Sequence, residues 1–152
     1  LRSKPSAAAE AGFDENSYIS PDSTNSIKWS EKAKVMDTYE YYRGLIAFRR
    51  AHGALRMAET ADIQRNLTFM SGLDANVVGY TIANSANGDT AEKITVIFNG
   101  NADVVDVPLP AGTWEICVND RTAGTVSVGT AETTVSVAGI SAMVLVQGDD
   151  TI

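Results

Sequence analysis

Cysteine and histidine are almost absent from this chain. The single cysteine, Cys117, excludes an internal disulfide framework. Flanked by Ile116 and Val118, it reads as a small buried hydrophobe. One Cys and one His, His52, cannot make a structural zinc site, and no Ser/His/Asp or Cys/His arrangement has a second histidine to draw on. No run approaches the roughly 18 to 20 apolar residues that a membrane span needs. Glycine-rich phosphate motifs are missing, and the opening Leu1-Arg2-Ser3-Lys4-Pro5 lacks the form of a signal peptide. Such an opening reads as a piece of something longer, with localisation signals outside it. Basic residues are outnumbered, 12 Lys and Arg against 19 Asp and Glu, for a net charge of −7. The resulting negative potential repels phosphate backbones and anionic headgroups. Nucleic acid and membrane are therefore not expected as partners, whereas a neutral polysaccharide is not penalised. No cofactor is implied, and calcium is left open.

What is present suffices for one sizeable core, since 44% of 152 residues are hydrophobic. Residues 1–36 carry no sustained period and read as a long loop. Such loops are uncommon in compact domains unless functional or disordered. Phe13, Tyr18, Ile19, Ile27 and Trp29 are large enough to gain from burial on a neighbouring surface. Asp37-Thr38-Tyr39-Glu40 has the form of a capping box and predicts a helix start. His52-Gly53 predicts its end, with Gly53 as the glycine after the last turn and His52 in a dipole or capping role. Arg49 and Arg50, late in that helix, also favour the dipole. Tyr41, Leu45 and Phe48 form one apolar stripe; Tyr42, Ile46 and Arg49 form the next. That is more than a helix on a small sandwich needs for one face, so packing on two sides is expected.

From about residue 66 the pattern shifts to short alternating runs between turn residues. Strands are expected at 66–70, 77–84, 93–98, 104–109, 113–118, 125–128, 133–137 and 142–147. Asn87-Gly88-Asp89, Asn99-Gly100-Asn101, Pro110-Ala111-Gly112, Asn119-Asp120 and Ala138-Gly139 supply the turn chemistry between them. The fold class is thus mainly β: an antiparallel β-sandwich of seven or eight strands with Greek-key-like connections, preceded by a long loop and one α-helix.

The chemistry on offer is sparse. Asp14, Glu15 and Asp22 are the one acidic cluster in a loop, yet glycoside hydrolysis needs two carboxyl groups about 5 to 9.5 Å apart on a rigid frame. No such frame is evident here. Asn16, Tyr18 and Asn25 are of sugar-binding types, because amides match hydroxyl pairs and an aromatic face packs on a pyranose; Asx turns within the loop are the alternative reading. Asn66-Leu67-Thr68 matches the glycosylation acceptor, against a plain strand reading. Tyr80, Trp114 and Phe98 sit on expected strands, as core residues or as a carbohydrate platform.

Two motifs are more specific. Residues 15–29, Glu-Asn-Ser-Tyr-Ile-Ser-Pro-Asp-Ser-Thr-Asn-Ser-Ile-Lys-Trp, and residues 41–52, Tyr-Tyr-Arg-Gly-Leu-Ile-Ala-Phe-Arg-Arg-Ala-His, closely resemble the end of the catalytic barrel in type I pullulanases of the α-amylase superfamily. There the first motif is the loop after the eighth barrel strand and the second is the eighth helix. Leu1 to Lys4 is similar to that strand's exit. Ile97-Phe98-Asn99 and Ser141-Ala142-Met143-Val144-Leu145 are similar to the family's C-terminal all-β domain. Lys28 stands where the family usually has Asp, and residues 5–12 look like an insertion.

The resemblance implies a division into 1–57, the end of a (β/α)8 barrel, and 58–152, the C-terminal β-sandwich. It implies a bacterial parent that debranches α-glucan, with pullulan, starch or glycogen and the missing barrel as partners. The family's nucleophilic aspartate, acid/base glutamate and transition-state aspartate lie on earlier strands, so no catalytic residue carries over. Because loops at the C-terminal ends of barrel strands form the active-site face, Asn16, Tyr18, Asp22 and Asn25 become candidate substrate-binding residues. An α-glucan-binding module without catalysis is the alternative. Localisation is left open, with the extracellular space or cell surface ahead of the cytoplasm.

Overall fold

The computed structural model describes residues 18–148. Two compact units divide between Tyr39 and Glu40.

In the first, Pro21, fixed at φ −67°, leads into a one-turn helix α1 (Asp22–Asn25). Its turn is closed by Thr24 and Asn25 N–H donating to the Pro21 carbonyl, at 2.9 and 3.0 Å. A 3-10 helix, Trp29–Val35, then runs directly into α2 (Met36–Ala51). The stretch expected as an unbroken loop over 1–36 therefore contains helical turns, and none of its described residues is buried. The continuous turn also displaces the expected capping box. Met36 is already helical at φ −64°, ψ −35°, so Asp37 sits inside the first turn of α2, where its charge favours the dipole.

The end of α2 differs too. Gly53 is not among the glycines with positive φ and opens another 3-10 helix, Gly53–Arg56. What requires glycine there is a close approach: a Cβ would lie 2.9 Å from the Asn87 carbonyl oxygen. Helix α3 (Thr60–Asn66) follows, in a stretch where no element is expected, and takes Asn66 from the expected first strand.

Eight strands follow: β1 (Leu67–Phe69), β2 (Val77–Ile82), β3 (Lys93–Asn99), β4 (Val105–Pro108), β5 (Trp114–Val118), β6 (Thr130–Ala131), β7 (Thr134–Val137) and β8 (Ser141–Gln147). All pairings are antiparallel, in a six-stranded sheet ordered β1-β2-β3-β8-β5-β6 and a two-stranded sheet β4-β7. The fold is mainly β with antiparallel sheets, as the alternation implies.

Strand period decides which face each residue covers. Ile94 and Val96 of β3, with Val144 and Val146 of β8, join the cluster that holds Phe48 of α2. Ile97, Met143 and Leu145 point the other way, to a cluster with Val107 of β4 and Val135 and Val137 of β7. The centre of the large sheet, β3 and β8, is thus buried on both faces. A register shift between Ile116 and Val118 lets the consecutive residues Cys117 and Val118 join the same cluster.

The expected strand at 125–128 does not form. The backbone bends over 124–126, and contact with β5 is limited to isolated hydrogen bonds such as Val128 N–H to the Ile116 carbonyl and Ile116 N–H to the Gly129 carbonyl, both 2.8 Å. Val126 is left exposed, and regular pairing with β5 resumes at Thr130–Ala131. Asn99, buried at the end of β3, fastens the two sheets. Its amide donates to the carbonyls of Asp103, Val137 and Ala138 at 2.9 to 3.1 Å.

Candidate functional site

Three of the four candidate substrate-contacting residues, Tyr18, Asp22 and Asn25, lie in or next to α1. Tyr18 is 90% exposed. Asp22 is the exposed first residue of the helix, and Asn25, its last, donates from Nδ2 to the Ser20 carbonyl at 2.9 Å. That bond is a local side-chain to backbone contact but not an Asx turn, since the amide donates to a carbonyl five residues back, and it commits one amide proton to holding the loop. Asn16, Asp14 and Glu15 lie outside the described residues. Ile27 and Trp29 are also exposed, Trp29 at 76%. The segment therefore presents two aromatic rings and two polar side chains on a frame of backbone turns. Among the described residues no group of three or more His, Cys, Asp or Glu could hold a metal ion. Nor, among the described residues, is any helix long and apolar enough to cross a membrane.

The three strand aromatics separate. Trp114 is fully buried, and its indole N–H donates to the Pro110 carbonyl at 2.8 Å. As a carbohydrate platform it is ruled out. Tyr80 is half-buried against the α2-side cluster and meets Phe69 edge-on at 6.1 Å. Phe98 remains partly open, paired across the sheet with exposed Val78. Asn66 is buried and takes the Asn84 amide on its Oδ1 at 3.1 Å, a structural use of the acceptor motif.

Helix α2 shows its two stripes differently. Phe48 is buried, with Tyr41 and Leu45 packed against the same cluster. Tyr41 Oη donates to the Asn119 carbonyl at 2.8 Å. Burial, and secondarily the Asp120 carboxylate, raise its phenol above the ordinary value of 10.0. Gly44 permits this seating, since a Cβ there would fall 1.8 Å from the Ala123 carbonyl oxygen. The second stripe faces outward: Tyr42 is 64% and Ile46 59% exposed. The expectation of packing on two sides is met on one side by the β-domain.

A buried pair escapes sequence reading altogether. His52 Nδ1 lies 3.0 Å from Asp89 Oδ1, and both side chains are almost fully enclosed. The same carboxylate accepts from the N–H of Ala54 at 2.8 Å and of Ala91 at 3.0 Å. The ring also packs against Phe48, tilted by 41° with centroids 4.3 Å apart. His52 is thus a core link between the end of α2 and the β2–β3 loop, not a helix-dipole residue. Its partner lies 37 residues away, and no local pattern announces it.

Comparison with known proteins gives a consistent answer. Residues 63–122 match the family described as "Pullulanase, all-beta domain". Pullulanase of Bacillus subtilis strain 168 is 35% identical over 96 residues, covering 63% of this chain and 13% of its own length. A solved pullulanase from Bacillus acidopullulyticus superposes with a TM-score of 0.84 at 36% identity, over 90% of this chain and 17% of that one. Pullulanase type I from B. subtilis, solved in complex with maltose, gives 0.76 at 29% identity, over 87% and 18%. The chain spans less than a fifth of the length of these relatives.

Proposed function

We propose that this chain, which matches the pullulanase all-β domain over residues 63–122 and superposes on solved pullulanases, is part of a type I pullulanase and serves a larger hydrolase that debranches α-1,6-linked glucan such as pullulan, starch or glycogen. The reading divides labour. Residues 1–57 complete a catalytic (β/α)8 barrel, and 58–152 form the β-domain that shields apolar barrel surface. Loop residues Asn16, Tyr18, Asp22 and Asn25 border the glucan cleft. The reactive carboxylates belong to the barrel, so the chain alone supplies no hydrolysis.

One observation carries this reading: the outward stripe of α2. Tyr42 and Ile46 are more than half exposed on the helix whose other stripe is packed. Two large apolar side chains held in water on a rigid helix forgo about 1.5 to 3 kcal/mol each that full burial would return. A barrel wall is the surface that such a stripe fits.

The test compares the Tyr42→Asp, Ile46→Asp double variant in the isolated chain and in the full-length enzyme. In the isolated chain the stability change stays within about 0.5 kcal/mol per site, as for ordinary surface positions. In the full-length enzyme it exceeds about 2 kcal/mol, because charges are driven into an apolar interface. Equal responses in the two contexts would falsify the shielding role. Pullulan hydrolysis by the isolated chain would overturn the division of labour.

A further inference from the structure

A polar groove of about 400 Å³ opens where the end of α3 meets the loop between β2 and β3. Asp62, Arg65 and Asn66 line it from the helix; Asn84, Ser85 and Asn87 line it from the loop. All six lie in the unit that runs from Glu40 onward.

The loop is bent in an unusual way. Asn84, Ser85 and Asn87 all have positive φ, at 64°, 45° and 55°. Asparagine tolerates that region, but serine there is disfavoured and persists only when its surroundings hold it. Hydrogen bonds do the holding. Ser85 N–H donates to the Glu92 carbonyl at 3.2 Å, and Asn87 Nδ2 donates to the Gly53 carbonyl at 2.9 Å. Asn84 Nδ2 donates to Asn66 Oδ1 at 3.1 Å.

This arrangement leaves a particular set of groups facing the groove. The Asn84 and Asn87 amides have each spent a donor on the protein and retain their carbonyl oxygens as acceptors. The Ser85 hydroxyl has no protein partner among the described residues, so it can both donate and accept. Asp62 and Arg65 pair with each other, which removes net charge from the rim while leaving spare lone pairs and N–H groups. Such a wall suits neither an anion, beside a carboxylate on a chain of net charge −7, nor a metal ion, with one already paired carboxylate. It suits a neutral ligand bearing many hydroxyl groups.

We propose that this groove is a secondary saccharide subsite of the β-domain, taking a short α-glucan segment by hydrogen bonds alone. The choice of α-glucan rests on the debranching reading above; the preference for a neutral polyhydroxyl ligand rests on the groove itself. With no aromatic ring in the wall there is no stacking term. Affinity is therefore modest, with a Kd on the order of 1 to 10 mM.

The experiment titrates the isotopically labelled chain with maltotriose and follows backbone amide shifts. Saturable movement at Arg65, Ser85 and Asn87 is expected. The Ser85→Gly variant removes the hydroxyl while relieving the positive-φ strain, so it melts no lower than the parent. It should weaken binding about 3- to 10-fold, the loss of one neutral hydrogen bond. No saturable shift at these residues by about 50 mM, well above that Kd range, overturns the subsite. So does unchanged affinity in Ser85→Gly. Shifts confined to residues 18–29 also overturn it, while leaving the debranching reading standing.

Discussion

The chain has two tryptophans, and they sit in opposite circumstances. Trp114, on β5, is fully enclosed between the two sheets with its N–H satisfied by the Pro110 carbonyl. Trp29, which begins the first 3-10 helix, is mostly in solvent. The contrast extends to the regions around them. From Glu40 to Gly148 the chain buries polar groups with partners, as at His52, Asp89, Thr95 and Asn99, and among the described residues no buried side-chain polar atom lacks a hydrogen bond. Between Tyr18 and Tyr39 no residue is buried, and order comes from hydrogen bonds a few residues apart. The first region carries its own core. The second has apolar side chains and no core of its own, as expected of a segment completed by another surface.

Trp114→Ala tests the self-sufficient side of that contrast most severely. It removes the largest side chain from a cluster in which Ile97, Val137 and Leu145 are fully enclosed, and orphans the Pro110 carbonyl. The expected cost is about 3 to 5 kcal/mol, read as a lower denaturant midpoint with an unchanged slope. A loss under about 1 kcal/mol would mean that the space between the sheets collapses freely, and the claim of a tightly specified core would fail.

The strands were legible because their physics is local. Alternation located seven of the eight within a few residues, and Trp114 and Cys117 as core. The run 125–128 misled because Thr-Val-Ser-Val alternates like a strand while the backbone bends over 124–126. Helix α3 was invisible because seven residues, with no side-chain cap at Glu59, leave too short a period to detect. The doubled stripe of α2 finds one packed side, through Tyr41, Leu45 and Phe48, while Tyr42 and Ile46 stay exposed. The His52–Asp89 link could not be seen, since it depends on how the β2–β3 loop folds back over the end of α2. Of the candidate site, Tyr18, Asp22 and Asn25 came forward through family resemblance and residue type, because a segment without a core leaves no periodic trace.

Tyr41→Phe probes the seam by which α2 joins the β-domain. Losing the Oη to Asn119 hydrogen bond costs about 1 kcal/mol at neutral pH. The pH dependence sharpens the result. The folded-state pKa of Tyr41 lies above the unfolded value of 10.0, first through burial and then through Asp120. Its contribution is therefore fully present below about pH 10 and is lost as pH rises through the folded value. Tyr41→Phe should reduce the alkaline loss of stability without abolishing it, because Tyr80 is raised in the same direction by burial. An alkaline limb identical to that of the parent would show that the Tyr41 phenol is not held neutral at that seam.

Trp29→Ala asks the same question of the other region and has the smallest expected effect. Although tryptophan is the largest side chain, its removal from a site left 76% exposed uncovers little that was not already wet. The isolated chain should change by no more than about 0.5 kcal/mol. Its remaining emission, from Trp114 alone, should be blue-shifted and poorly quenched by acrylamide. A loss above about 2 kcal/mol would mean that residues 18–39 possess a core of their own, and the two tryptophans would then differ in degree only. If the loss stays small in the isolated chain and grows in the full-length enzyme, the surface that completes this segment lies in the barrel, and the ring that looks idle here is one of its contacts.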